Sequence, residues 1–89
     1  MKIVELDGSK MDSIQNTHIH LKESMMLPEY YGENLDAMYD VMSDIRENTF
    51  VFVLNSQQMR TSLGDYGARM ERVWEDLEQH NKHLSFFMR

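Results

Sequence analysis

The sequence predicts an α/β domain in which a three-stranded parallel sheet is covered by helices. The first observation is residues 50–54, FVFVL, a β-branched and aromatic run that is apolar on both faces. Such a run is typical of a strand at the centre of a parallel sheet with helices packed over it. The second observation is the order of elements, because segments with helical spacing separate this run from apolar strands near both ends of the chain. We find no linker, repeat or low-complexity segment, and therefore expect one domain over residues 1–89.

The first third of the chain predicts a strand followed by a helix. Residues 1–6 are mostly apolar and are followed by Asp7-Gly8, a turn signal. Asp12 with Gln15 resembles a capping box and predicts a helix that runs to about Met26, before Pro28. Its apolar positions recur at helical spacing, at Ile14, His18, Leu21 and Met25. We expect His18 to be a hydrogen-bonded core residue and His20 to be exposed.

The last third predicts two helices and a strand. Asn55 is expected to cap a short helix over residues 56–61, which Gly64 ends. The helix Asp65 to His80 has the cleanest amphipathic pattern in the chain, with Tyr66, Met70, Val73, Trp74 and Leu77 on one face. Asn81 is expected to close it in the left-handed conformation. Residues 84–88 form the last strand, and we expect the first or last strand to pair with the FVFVL strand on at least one side.

The central stretch, Leu27 to Ile45, predicts a loop that leads into a helix with two unlike faces. Asn34 is a good N-cap, and Asp36 lies in the first turn, where the helix dipole favours a negative charge. The apolar face contains Leu35, Met38, Met42 and Ile45. Pro28 holds Leu27 extended, and Gly32 is expected to adopt a turn conformation closed to other residues.

The opposite face of that helix is acidic. Asp36, Asp40 and Asp44 follow one another at intervals of four residues, with Tyr39 beside them. Each like-charge pair destabilises an isolated helix by roughly 0.2–0.5 kcal/mol. Residues 29–47 contain six acids and one base, so they carry −5 of the chain's net charge of −6. With Tyr30 and Tyr31 just ahead, this surface is either a solvated helix face or a docking surface for a cationic site.

Composition excludes several classes of protein and partner. The chain has no Cys, so it has no disulfide and no thiol nucleophile. A net charge of −6 argues against nucleic acid or an anionic membrane as partner and favours a basic one. We find no signal peptide and no apolar stretch long enough to cross a membrane, and we expect a cytoplasmic protein that is a monomer when free.

No catalytic or metal-binding motif connects the ionisable residues. There is no Gly-rich phosphate loop, no nucleophile elbow and no His pair at metal spacing near the acidic helix. Three aspartates on a helix offer too few oxygens for a typical Ca²⁺ site. The nine Met residues occur mostly at core spacings and are interpreted as core filler. We therefore expect neither an enzyme nor a metal or cofactor.

The segment LPEYYGENLDAMYD resembles the central segment of the barstar family, intracellular inhibitors of the ribonuclease barnase, and the order of elements fits over nearly the full chain. The resemblance implies the three-stranded, helix-covered barstar fold and a 1:1 complex with a basic ribonuclease. By resemblance, Asp40 is the carboxylate that enters the phosphate site of the enzyme, Asp36 is a flanking charge-pairing residue, and Tyr30 packs on the catalytic His. Gly32 and Asn34 match loop positions against the enzyme. Charge-steered association and charged hot spots are known properties of the barnase–barstar pair and come to this chain only by the resemblance.

The resemblance extends to the last long helix and has departures. Asp76 matches an acidic contact at the edge of the interface after a one-residue gap, with Glu75 as the alternative. Tyr39 and Ile45 stand where Trp is typical of the family, and the two Cys positions of the family are occupied by other residues. These changes leave the target ribonuclease open.

The predicted partner-binding surface is drawn from the central stretch and the last long helix. It comprises Tyr30, Tyr31, Gly32, Asn34, Asp36, Tyr39, Asp40, Asp44 and Asp76. We expect an inhibitor of a barnase-like or related ribonuclease that plugs the active site with the acidic helix. Two alternatives stay open: an immunity protein against a ribonuclease toxin delivered between bacteria, and an acidic binding module whose basic partner is unrelated to RNA cleavage.

Overall fold

The computed structural model describes all 89 residues as three strands and four helices. The strands are β1 (Lys2–Asp7), β2 (Thr49–Leu54) and β3 (Leu84–Met88). The helices are α1 (Ile14–Met25), α2 (Leu35–Ser43), α3 (Ser56–Leu63) and α4 (Asp65–His80), and a 3₁₀ turn, Gly8–Lys10, follows β1. The predicted α/β class and the order of elements are confirmed.

The three strands form one parallel sheet in the order β1-β2-β3. Val4 of β1 pairs with Val51 of β2, and Val51 pairs in turn with Phe86 of β3. The strand predicted from the FVFVL run is therefore central and has a neighbour on each side. Each connection between neighbouring strands contains helices, as parallel pairing requires.

Helices cover one face of this sheet. The residues on the covered face are almost completely buried in the core: Val4, Leu6, Val51, Val53 and Leu84. Alternate residues point to the other face, where Ile3 is 61% exposed and Phe87 is 41% exposed. The second apolar face of β2 is therefore not covered by a helix, contrary to the sequence prediction. On this face the Phe52 ring of β2 stacks on the Phe87 ring of β3 at a centroid distance of 5.0 Å.

The first helix begins with a different cap from the one predicted. The Ser13 side chain accepts a hydrogen bond from the backbone N–H of Asn16 at 3.0 Å, whereas Asp12 accepts one from the Asn16 side chain. At the other end Met26 adopts the left-handed conformation, so this residue, and not Pro28, ends α1. His20 is half-buried and its Nε2 accepts a hydrogen bond from the backbone N–H of Asp7 at 2.8 Å. The expectation of a merely exposed His20 was wrong.

Two asparagines were assigned the wrong local roles. Asn55 precedes α3 but makes no side-chain cap; it has φ 54° and its amide donates to Asp7 Oδ1 at 2.9 Å. Asn81 is extended, with φ −131°, and not left-handed. In both cases the side chain makes a long-range hydrogen bond that outweighs the local preference of the residue. The helix α3 also runs to Leu63, two residues beyond the predicted end.

Six of the nine methionines are buried in the core, which confirms their interpretation as core filler: Met11, Met25, Met38, Met42, Met59 and Met70. No group of three or more His, Cys, Asp or Glu side chains is arranged to hold a metal ion. None of the four helices has the length and apolar character needed to span a membrane.

Candidate partner-binding site

The loop between α1 and α2, residues 27–34, is ordered by short backbone hydrogen bonds. The backbone N–H of Leu27 donates to Lys22 O at 2.9 Å, and that of Tyr31 donates to Pro28 O at 3.0 Å. The Asn34 amide donates to Gly32 O at 3.2 Å, which ties the end of the loop to the start of α2. We call residues 27–34 the 27–34 loop.

The left-handed residue of this loop is Glu33, with φ 55°, and not Gly32 as the sequence suggested. Gly32 contributes to the loop through its small size. A Cβ atom at this position would lie 3.1 Å from the Cβ atom of Ala37. The small residue therefore lets the loop lie closely against the first turn of α2.

The two adjacent tyrosines have opposite environments. Tyr30 is 86% exposed, whereas Tyr31 is only 5% exposed. The Tyr31 hydroxyl lies 2.6 Å from Nδ1 of the buried His18. The prediction that His18 is a hydrogen-bonded core residue is confirmed, but the expectation that Tyr31 is presented at the surface beside Tyr30 is wrong. Its burial leaves Tyr30 as the aromatic side chain that the loop projects.

The start of α2 agrees with the sequence prediction. Asn34 Oδ1 accepts a hydrogen bond from the backbone N–H of Ala37 at 2.8 Å, and Asp36 lies in the first turn. Met38 and Met42 are buried on the inner face. Asp44 is the C-cap residue, so its carboxylate lies at the negative end of the helix dipole, where an anion is unfavourable.

The two aspartates of α2 and the C-cap Asp44 are exposed and have no cationic partner. Asp36, Asp40 and Asp44 take part in none of the ion pairs and accept no side-chain hydrogen bond. By contrast, Glu29 and Glu47 at the margins of the acidic segment lie 3.5 Å from Lys22 and 3.6 Å from the N-terminal amine respectively. The helix therefore carries three carboxylates whose charge is not compensated within the protein.

A groove lies between the 27–34 loop and α2, with a volume of about 310 Å³. It is lined by Tyr30, Tyr31, Gly32, Ala37, Asp40, Val41 and Asp44. We call it the acidic groove. It brings together five predicted site residues from two segments of the chain; Asn34, Asp36 and Tyr39 are not among its lining residues. Tyr39 is half-buried and packs against the core.

Ala37 and Val41 are the lining residues that the sequence interpretation missed. A signal was available, because positions 37, 40, 41 and 44 have the i, i+3, i+4, i+7 spacing of one helix face. That face differs from the 36, 40, 44 ridge. Asp40 and Asp44 belong to both, which explains why they line the groove while Asp36 does not.

The C-terminal end of α2 is held by Asn81, another residue whose role the sequence did not reveal. Its buried amide donates to Met42 O at 3.0 Å and to Ile45 O at 3.1 Å. Met42 O also accepts a hydrogen bond from the backbone N–H of Ile45 at 3.3 Å, so Asn81 supplies a further donor to Met42 O and a donor to Ile45 O just beyond the last turn. Asn81 follows α4 directly, so it fixes the acidic helix against the long helix.

Asp76 and Glu75 are both exposed on α4 but point in different directions. Successive residues of a helix are about 100° apart around its axis. Glu75 lines a hollow beside β3 with Glu71, Glu78 and Phe86. Asp76 is absent from that hollow and lies on the same side of the helix as His80, one turn away, whose Nδ1 is 2.9 Å from Asp76 O. Neither residue lines the acidic groove.

Comparison with known proteins gives the family of the chain. The family model "Barstar (barnase inhibitor)" matches residues 1–89. A relative from Bacillus subtilis strain 168, described as "Putative ribonuclease inhibitor YrdF", is 30% identical over 83 residues, which cover 92% of this chain and 91% of the relative. The match extends over the sheet, the acidic groove and the long helix alike. The chain therefore belongs to the barstar family, whose members are ribonuclease inhibitors and not enzymes.

Proposed function

We propose that this protein inhibits a barnase-like or related bacterial ribonuclease by plugging its active site with α2 and the 27–34 loop. The observation that carries the proposal is the set of three exposed, unpaired carboxylates of α2, two of which line a groove beside an exposed tyrosine. An enzyme that binds the phosphates of RNA presents Arg, Lys and His in a positively charged cleft. Carboxylates on a rigid helix are complementary to such a cleft and can replace the phosphates.

The exposed residues of the surface have different roles in this proposal. Asp40 enters the phosphate site and accepts hydrogen bonds from its basic groups, because it lies midway along α2 and on the wall of the groove. Tyr30 packs on the catalytic His of the enzyme, with its ring free to do so. Asp36, Gly32 and Asn34 contact the enzyme around Asp40, while Tyr39 and Asp44 lie at the margin.

Asp76 is the better candidate for the peripheral acidic contact. Glu75 is directed towards β3, in the hollow with Glu78 and Phe86. A partner seated on the acidic groove approaches from the side of α2, and α4 packs against α2. Asp76 is about 100° further around the helix from Glu75 and is absent from the hollow beside β3, so we assign the contact to Asp76.

The complex is expected to contain one copy of each protein, formed inside the producing cell. Charge favours this partner, since residues 29–47 carry −5 of the net −6 and steer the surface towards a basic cleft. The alternative of an immunity protein against a delivered ribonuclease toxin uses the same surface and the same chemistry. The second alternative, a basic partner unrelated to RNA cleavage, predicts binding without inhibition.

The test is RNA cleavage by a purified barnase-type ribonuclease titrated with this protein and with two variants. Asp40→Asn keeps the shape of the side chain and removes its charge. Glu75→Ala removes one negative charge from an exposed helix position away from the groove, and serves as the matched control. We expect cleavage to stop near one equivalent of the wild type and of Glu75→Ala, and to continue with Asp40→Asn.

Other outcomes distinguish the alternatives. Loss of cleavage with all three proteins would contradict the role of Asp40 while leaving the inhibitor function in place. Binding to the ribonuclease with no effect on cleavage would favour the unrelated binding module. No binding to any barnase-type ribonuclease, with inhibition of a toxin ribonuclease, would favour the immunity protein.

A further inference from the structure

A buried chain of three rings joins the 27–34 loop to two helices. His18 of α1 is fully buried, with Nδ1 2.6 Å from the Tyr31 hydroxyl and Nε2 2.6 Å from the Tyr66 hydroxyl. The imidazole ring is tilted by 52° to the ring of Tyr31 and by 86° to that of Tyr66. Tyr66 belongs to the first turn of α4 and lies outside the acidic groove.

Burial determines where the protons lie in this series of hydrogen-bonded rings. The Tyr31 hydroxyl has His18 Nδ1 as its one hydrogen-bond partner, and Tyr31 is almost completely buried. Its proton must therefore be donated to Nδ1, because a buried donor without an acceptor is costly. Nε2 then carries the imidazole proton and donates it to Tyr66. Tyr66 is half-buried, so its own hydroxyl proton can reach solvent.

We propose that His18 and Tyr66 are positioning residues of the partner-binding site, which hold the 27–34 loop in its binding conformation through Tyr31 and do so only while the imidazole is neutral. The inference rests on the proposed function, because the loop carries Tyr30 and forms one wall of the acidic groove. Neither residue contacts the partner. They act on binding by fixing where Tyr30 and Gly32 lie.

Protonation of His18 disrupts its hydrogen bond with the Tyr31 hydroxyl. Both ring nitrogens then donate, so the Tyr31 hydroxyl must accept from Nδ1, and its own proton loses its acceptor in a buried site. The loop can relieve this only by moving Tyr31 away from His18. That movement would carry Tyr30 with it, since the two residues are adjacent.

Burial and the neighbouring charges have opposite effects on the pKa of His18. Burial lowers the pKa of His18, while the Glu33 carboxylate of the loop raises it to a smaller extent. On the α4 side, the Arg69 guanidinium carbon lies 5.4 Å from the centre of the Tyr66 ring and adds a positive charge near the chain. Since the pKa of His18 lies below its ordinary value of about 6.5, the neutral form dominates at neutral pH.

The first part of the test measures the free protein. Hydrogen-exchange protection factors for the amides of Leu27 and Tyr31, which bond within or at the start of the loop, are compared with those of β2. We expect Tyr66→Phe to lower loop protection about two- to tenfold without an equal change in β2, because it leaves Nε2–H without its acceptor. Tyr39→Phe, which removes a hydroxyl that makes no hydrogen bond, is the matched control and is expected to leave both unchanged. Equal protection of the loop in Tyr66→Phe and wild type would overturn the proposal.

The second part measures inhibition of a barnase-type ribonuclease as a function of pH. His18→Gln replaces the imidazole by an amide that does not titrate. The ratio of the inhibition constants of wild type and His18→Gln cancels the titration of the enzyme itself, and we expect this ratio to rise as pH falls below about 6.5. A ratio that is constant from pH 8 to pH 5 would overturn the proposal. Absence of inhibition by the wild type would instead contradict the proposed function, and the exchange data, which need no ribonuclease, would show whether the loop is nevertheless held by Tyr66.

Discussion

The side-chain amide of Asn81 donates a hydrogen bond to the carbonyl oxygen of Met42 at 3.0 Å. This bond links the C-terminal end of α2 to the residue that follows α4. The same amide reaches Ile45 O at 3.1 Å, and Asn81 Oδ1 accepts from the backbone N–H of His83 at 2.9 Å. One buried side chain thus satisfies the end of α2 and the turn into β3.

Asn81→Ala is expected to destabilise the protein by roughly 2 kcal/mol, because it removes the hydrogen bonds to Met42 O and Ile45 O and leaves Ile45 O without a donor. Inhibition should also weaken, since α2 loses its fixed end. Equilibrium unfolding in urea measures the free energy of unfolding. Asn48→Ala, which removes an exposed hydrogen bond to His83, is the control and should change stability by less than about 1 kcal/mol. Equal effects of the two variants would contradict the assigned role.

Substitution of Asp40 should separate binding from stability. Asp40→Ala is expected to cost several kcal/mol of binding, because basic groups of the partner stay buried and unpaired. The free protein should not be destabilised through lost contacts, since Asp40 has no partner and its removal relieves roughly 0.2–0.5 kcal/mol of repulsion for each like-charge pair. Inhibition constants and urea unfolding, measured on the same variant, check both statements.

Asp44→Ala provides a comparison with Asp40→Ala, because both aspartates line the acidic groove. It is expected to cost under ~1 kcal/mol of binding, as a marginal residue. It should stabilise the free protein by about 0.3–1 kcal/mol, because Asp44 lies at the negative end of the helix dipole. Equal small effects of Asp40→Ala and Asp44→Ala on binding would contradict the phosphate-mimic model.

Asp76→Ala and Glu75→Ala form a matched pair on adjacent residues of α4. We expect Asp76→Ala to weaken binding by up to about 1 kcal/mol, typical of an exposed charge pair at the rim, and Glu75→Ala to have no measurable effect. The Asp76 contribution should shrink at high salt, where exposed charges are screened. Dissociation constants at two ionic strengths provide the measurement, and a larger effect of Glu75→Ala would reverse the assignment.

Asp7 should make the stability of the fold sensitive to acid. Hydrogen bonds from Asn55 and Ser9 lower the pKa of the Asp7 carboxyl to about 2 from its ordinary value of 3.8. A depressed folded-state pKa contributes stability that is present above pH 4 and is lost as pH falls through the window from 4 towards 2. Asp7→Asn cannot titrate, so its free energy of unfolding should vary less over this window than that of the wild type. Parallel curves for the two proteins would exclude the effect.

Two glycines should respond differently to substitution by Ala. A Cβ atom at Gly8 would overlap the backbone carbonyl of Asn55, and backbone cannot move aside cheaply. Gly8→Ala is therefore expected to destabilise by about 1–3 kcal/mol. At Gly32 the nearest atom is the Ala37 methyl at 3.1 Å, so Gly32→Ala should cost less stability and displace the loop. Urea unfolding of both variants, with inhibition assays for Gly32→Ala, gives the comparison.

Local sequence patterns determined the elements of this protein and their order. The apolar run of β2, the amphipathic pattern from Asp65 to His80 and the Asn34 cap each depend on residues close together in the chain, where periodicity and capping preferences act directly. For the same reason the acidic face of α2 could be predicted, since its charges follow from spacing on one helix. The strong match of the central segment to the barstar family added the expected roles of these residues.

The tertiary structure decided which of these residues meet and which face they show. Tyr31 is buried, with its hydroxyl hydrogen-bonded to His18, which lies 13 residues away in the sequence, whereas Tyr30 is exposed. Asn55 and Asn81 depart from their local preferences because distant partners, Asp7 and Met42, offer hydrogen bonds that a local turn cannot supply. Burial and long-range hydrogen bonds depend on packing between elements, which no local pattern encodes. The sequence by itself therefore determined the helix, the charge and the family, whereas only the packed structure decided the groove, its buried anchor and the side chain that the loop presents.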